Sequence, residues 1–89
     1  MKYRDRFEII SVILEIANDS NGVNKTKIMY KAFLPSLHLN QYLLLVIENG
    51  LIEYQERKRT YRTTEKGLRF LDLYRHLTEL IHYHYTTDL

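Results

Sequence analysis

Eighty-nine residues with no cysteine, one proline, three glycines and a formal net charge of +2 leave room for one compact domain and exclude a disulfide framework or thiolate chemistry. A hydrophobic content of 45% argues against disorder, and the longest uninterrupted apolar run, residues 43–47, falls far short of the roughly 20 residues that a membrane span needs. The start Met1-Lys2-Tyr3-Arg4 leads into charge rather than into a signal-peptide core, so the expected location is cytoplasmic.

Taken in chain order, residues 5–17 read as a first helix capped by Asp5, with Phe7, Ile10, Ile13, Leu14 and Ala17 on one apolar stripe. Ile9, Val12 and Ile16 form a second stripe, and a helix apolar on two sides needs cover on both. The polar turn 18–22 ends it. Asn24 is placed to cap a short second helix over 25–32, with Ile28 and Ala32 facing inward. Phe33-Leu34-Pro35 breaks that helix, and Ser36 is expected to cap a third over 36–48, in which Leu39, Tyr42, Leu43, Val46 and Ile47 repeat at three- and four-residue spacing. Asn49-Gly50 stops it, because glycine takes the left-handed cap without steric cost. Two helices joined by a tight turn form a helix-turn-helix pattern.

From Leu51 the period becomes alternating. Residues 51–55 and 60–63 read as strands, and Glu56-Arg57-Lys58-Arg59 forms a charged hairpin tip, the layout of a wing. Thr64 then caps a long last helix in which Glu65 favours the positive end. Phe70, Leu73, Tyr74, Leu77, Leu80, Ile81 and His84 share one stripe along it, about two heptads long, while Leu68 and Leu71 are expected to close the domain's own core. The expected fold is mainly α with a small β-hairpin: a winged helix-turn-helix over residues 1–67, continuous with a C-terminal dimerisation helix over 68–89.

The strings Arg4-Asp5-Arg6, Lys25-Thr26-Lys27-Ile28-Met29-Tyr30-Lys31-Ala32, Tyr42-Leu43, Gly50-Leu51-Ile52 and Tyr61-Arg62-Thr63-Thr64-Glu65-Lys66-Gly67-Leu68 resemble a family of small archaeal winged-helix proteins that includes the ten-kilodalton crenarchaeal chromatin proteins. The resemblance covers nearly the whole chain. It implies a dimer joined by an antiparallel coiled coil of the last helices, and sequence-tolerant or modestly specific binding to duplex DNA by a transcription regulator or a nucleoid component. The family usually starts its third helix with serine where Pro35 stands and carries lysines on that helix's outward face. Residues 32–56 contain no Lys or Arg.

Charge placement gives the strongest functional signal. Arg57, Lys58, Arg59, Arg62, Lys66 and Arg69 concentrate on the hairpin and the following turn, where they suit phosphate contact and a salt-dependent affinity. The bland reading is a charged hairpin that blunts a sheet edge. Lys25, Lys27 and Lys31, with the hydroxyls of Thr26 and Tyr30, occupy the second helix, which in a helix-turn-helix crosses the backbone. The outward face of the third helix offers Leu37, His38, Asn40, Gln41 and Leu44, with Leu45 at its edge. The amides suit an adenine edge, His38 a guanine and leucine a thymine methyl. The same uncharged, leucine-bearing face equally suits a protein partner.

The C-terminal stripe, together with Ile9, Val12 and Ile16, is expected to form a homodimer seam, against the simpler alternative of packing back onto the first helix. Metal binding is not expected, since His82 and His84 point to different sides of a helix and no cysteine completes a site. No phosphate loop, nucleophile elbow or paired carboxylates suggest an enzyme, and no cofactor is expected.

Overall fold

Side-chain caps set the frame of the fold. The computed structural model describes residues 4–81, in the order α1 (Arg6–Ile16), α2 (Lys25–Ala32), α3 (Ser36–Glu48), β1 (Ile52–Gln55), β2 (Thr60–Thr63) and α4 (Glu65–Leu80). Asp5 accepts from the Glu8 amide at 2.8 Å, Asn24 from the Lys27 amide at 2.8 Å and Thr64 from the Gly67 amide at 3.1 Å, each satisfying an amide that the first helical turn leaves without a partner.

α3 starts differently from expectation. Pro35, with φ −63° and ψ 152°, occupies the capping position and supplies no side-chain hydrogen bond, while Ser36 is already the first helical residue, so its hydroxyl stands one position too late to cap. The ring's fixed φ and its lack of an N–H suit the entry to a helix, and the Pro35 carbonyl accepts from the Leu39 amide at 2.9 Å.

α2 and α3 end in the same way. Leu34 N–H donates to the Met29 carbonyl at 3.2 Å and Leu51 N–H to the Val46 carbonyl at 2.8 Å, each bond closing over a left-handed residue and placing a buried leucine just beyond it. After α3 the left-handed residue is Gly50, φ 72°; after α2 it is Phe33, φ 56° and ψ 46°. A side chain in that region costs about 1–2 kcal/mol, so Leu34 gains its buried place through a strained turn.

The core gathers Ile10, Ile13, Leu14, Ala17, Ile28, Ala32, Leu39, Leu43, Val46, Ile52 and Leu71. Val23 joins it. It stands just before the Asn24 cap, Ile28 is the fourth helical residue, and both are in the core, the pairing of a hydrophobic staple. Val23 also exchanges backbone hydrogen bonds with Tyr61, at 2.9 and 2.7 Å, adding a one-residue bridge to the edge of an antiparallel hairpin whose register pairs Ile52 with Thr63 and Tyr54 with Tyr61. The Tyr54 and Tyr61 rings lie 4.8 Å apart, and burial, followed by the neighbouring Tyr54, pushes the Tyr61 phenol above its ordinary pKa.

Three apolar residues expected inside are exposed. Phe7 lies at the outer end of α1, beyond the core, with its ring 6.2 Å from Phe70 of α4. Ile47 is turned away from the Leu43 and Val46 side of α3 that the core covers. Leu68 is displaced by Gly67: α4 meets the domain through the buried pair Gly67 and Leu71, one turn apart, and this rolls Leu68 outward.

The base of the hairpin fixes these pieces together. Thr63 is buried; its hydroxyl donates to the Leu14 carbonyl at 2.7 Å and its amide to the Ala17 carbonyl at 3.1 Å. Thr64 N–H donates to the Leu51 carbonyl at 3.0 Å, and the Thr64 hydroxyl to the Gly50 carbonyl at 2.6 Å. Gly67 is pressed against this junction so closely that a Cβ there would stand 2.6 Å from the Thr63 methyl and closer still to the Leu51 carbonyl oxygen. Gly67→Ala is therefore expected to lower unfolding stability by about 2 kcal/mol, an overpacking cost, as read from urea or thermal melts. A change below about 0.5 kcal/mol contradicts this packing, since surface substitutions stay within that range.

Candidate nucleic-acid interface

The basic side chains divide into those held internally and those left free. Arg62, expected at a phosphate, instead grips Glu53 across the hairpin, with Nη2 at 2.6 Å and Nε at 3.2 Å from the same carboxylate oxygen, and its Nη1 reaches the Ser20 carbonyl at 3.4 Å. Lys66 Nζ donates to the Asn49 carbonyl at 2.8 Å, placing a cation at the negative end of α3. Arg4, in none of the expected sites, donates to the Ala32 carbonyl at 2.9 Å and does the same for α2. Arg75 faces Glu15 at 3.7 Å.

Arg57, Lys58 and Arg59 contrast with these. They stand exposed in the turn between β1 and β2, and none of their side chains has a hydrogen bond or ion pair among the described residues. Arg59 takes a left-handed backbone, φ 54°, which closes the tip. On α2, Lys27, Lys31, Thr26 and Tyr30 are exposed and Lys25 is half-buried, again with no internal partner for any of the three ammonium groups among the described residues. The elements before and after α3 in the chain thus carry cations available to an external anion.

α3 itself is uncharged until Glu48. Leu39, Leu43 and Val46 are buried, while Leu37, His38, Asn40, Gln41 and Leu44 are all exposed. On one flank Gln41, Tyr42 and Leu45 share a shallow cleft of 230 Å³ with Arg6 of α1. At the other end of the helix-turn-helix, Met29, Tyr30, Phe33, Leu34 and Pro35 line an open apolar concavity, with Phe33 85% exposed. The sequence gives little sign of this feature, because a left-handed position after a helix is normally a glycine or asparagine.

The face expected to form a dimer seam is open. Leu73 and Leu80 are 70% and 81% exposed, and Leu77 and Ile81 are also exposed. Phe7, Phe70, Leu73, Tyr74 and Leu77 line an apolar groove of 200 Å³, in which the Phe70 and Tyr74 rings run nearly parallel 6.4 Å apart. Ile9, Val12 and Ile16 are already half-buried against the domain's own core, and α1 also packs against α4 within one chain. His84 lies outside the described residues, as does His82. Among the described residues no group of three His, Cys, Asp or Glu side chains is arranged to hold a metal ion, and no helix is long and apolar enough to cross a membrane.

The arrangement of α1, the α2–turn–α3 unit, the hairpin and α4 agrees with a family model, the winged helix-turn-helix, that matches residues 3–82. The chain is a winged helix-turn-helix protein. It is similar to an uncharacterized protein of Methanocaldococcus jannaschii, with 36% identity over 77 residues that cover 86% of this chain and 73% of that protein. Within this winged-helix protein α3 takes the recognition-helix position, α2 the supporting position and the β1–β2 hairpin the wing.

Proposed function

We propose that this winged-helix protein binds duplex DNA as a homodimer, as a transcription regulator or a nucleoid component. The wing tip and α2 contact phosphates and α3 enters the major groove. The observation that carries the reading is the set of basic side chains with no internal partner among the described residues, Arg57, Lys58 and Arg59 on the wing and Lys25, Lys27 and Lys31 on α2, on a winged helix-turn-helix, a motif suited to duplex DNA. Thr26 and Tyr30 add hydroxyls beside them. Such contacts position a protein without reading sequence. Arg62 and Lys66 belong to the same surface in a supporting role: Arg62 braces the hairpin through Glu53, and Lys66 joins α4 to the end of α3.

The leucines of α3 support a second reading, a protein-interaction module on the same fold, because clustered exposed leucines favour apolar contacts. Electrostatics separates the two. Replacing Arg57, Lys58 and Arg59 together by alanine is expected to weaken duplex binding at low salt and to flatten the plot of log affinity against log salt by about 0.9 for each phosphate that is no longer neutralised. An unchanged slope removes the wing from the interface, and wild-type protein without duplex affinity at low salt ends the DNA reading.

Dimerisation rests on the stripe of Phe70, Leu73, Tyr74, Leu77, Leu80 and Ile81, in which the leucines and Ile81 are exposed and Phe70 and Tyr74 half-buried, with His84 continuing its spacing in the sequence and Ile9, Val12 and Ile16, half-buried against the core, backing it from α1. Burying large leucines on both chains offsets the cost of association, and a two-fold pair presents two wings to one duplex. Sedimentation equilibrium at tens of micromolar should give a dimer for the wild type and a monomer for Leu73→Glu/Leu80→Glu. A monomeric wild type, or a dimer that survives both charges, overturns the seam.

A further inference from the structure

The exposed face of α3 carries an unusually ordered set of groups. Leu37, Asn40, Gln41 and Leu44 stand at i, i+3, i+4 and i+7, so all four share one side of the helix, with the two amides between the leucines. The opposite side, Leu39, Leu43 and Val46, is buried. This fixes which side the four present. Leu37 is 69% and Leu44 59% exposed, and neither amide has a hydrogen-bond partner among the described residues. Both are therefore free to accept an external one.

This set bears on base chemistry. An amide side chain pairs in a bidentate way with the N6 and N7 of adenine, and an apolar side chain packs on the C5 methyl of thymine. Guanine is most often read by the fork of an arginine or by a lysine, and α3 has neither. His38 is exposed on the same helix but offers a single ring donor, and Arg6 shares a cleft with Gln41, Tyr42 and Leu45 that Leu37 and Leu44 do not line. The two leucines are seven residues apart, about 10 Å along the axis, or about three base-pair steps at roughly 3.4 Å each. Apolar contact at the ends and amide contact in the middle therefore match a short run of A·T pairs. Phosphate attraction comes from the cations of α2 and the wing, so α3 needs no charge of its own.

We infer that α3 selects A·T-rich major groove, with Leu37 and Leu44 against thymine methyls and Asn40 and Gln41 on adenine edges. The inference rests on the duplex-binding reading above. Its occupant is the base-pair edge rather than another protein: free amides at the centre of the face need hydrogen-bonding partners, and cations on the elements before and after α3 suit phosphates.

The test compares duplexes of identical sequence in which thymine is replaced by deoxyuracil, which removes the methyl and leaves base pairing and backbone charge intact. Wild-type protein is expected to bind an A·T-rich thymine duplex on the order of three- to tenfold more tightly than its deoxyuracil counterpart, as expected for one or two buried methyls. Leu37→Ala/Leu44→Ala should bind both equally. Replacing adenine by 7-deazaadenine, which removes N7, should weaken wild type but not Asn40→Ala/Gln41→Ala. All four positions are exposed, so the variants retain the core, and their far-ultraviolet circular dichroism should match wild type. Equal wild-type affinity for thymine and deoxyuracil duplexes, with a normal salt slope, overturns this inference and leaves the duplex-binding reading standing. A methyl preference that persists in the double-leucine variant also overturns it and assigns the effect to DNA shape. Loss of affinity for every duplex overturns the duplex-binding reading together with this inference.

Discussion

Most of this fold is held in place by one small junction at the base of the hairpin. The Leu51 carbonyl accepts from Thr64, Thr63 is bonded to two carbonyls at the end of α1, and Thr64 reaches back to Gly50. Five elements meet there: α1, α3, both strands and α4. A buried threonine hydroxyl bonded to a helix carbonyl satisfies both groups, and the left-handed turn at Gly50 lets the chain pass from α3 into β1 across residues 49–51. Gly67 is the consequence of that crowding. With a side chain there, α4 could not approach Leu51 and Thr63 this closely.

Internal contacts separate structural charge from available charge. Lys66 and Arg4 are placed on the carbonyl ends of α3 and α2, and Arg62 on Glu53. These contacts are exposed or partly exposed and each contributes modestly, yet together they explain why a chain with 13 basic residues presents fewer to the outside than its composition suggests. What remains without an internal partner among the described residues includes the wing tip and α2, and between them in the chain lies a helix with no positive charge. That division of labour, charge at the edges and neutral hydrogen-bonding groups in the middle, is what a duplex requires of a reader.

Much of this was legible in the sequence, because helix starts and periods are local. Asp5, Asn24 and Thr64 announce their helices, and the change from helical to alternating period at Leu51 announces the hairpin. What could not be read depended on contacts distant in the chain. The outward turn of Leu68, expected inside together with Leu71, follows from the bare backbone of Gly67 against Leu51, and Phe7, at the outer end of α1, lies beyond the core beside Phe70. Phe33 occupies a position that glycine usually fills, so its exposed ring and the buried Leu34 beyond it carry no local signal. Val23 was detectable in principle, as an apolar residue just before a cap with Ile28 four residues into the helix. Arg62 looked like its basic neighbours, and only strand register brings it opposite Glu53.

The central proposal is that α2, α3 and the wing form one duplex-binding surface, with the exposed face of α4 left to pair two chains. Titrating isotopically labelled protein with a short duplex and following backbone amide shifts tests it residue by residue. Changes concentrated at residues 25–31, 37–44 and 56–60, with α1 and the outer half of α4 unperturbed, are what the account predicts. Shifts confined to α1 and α4, or a wing tip that stays silent at saturation, would contradict it.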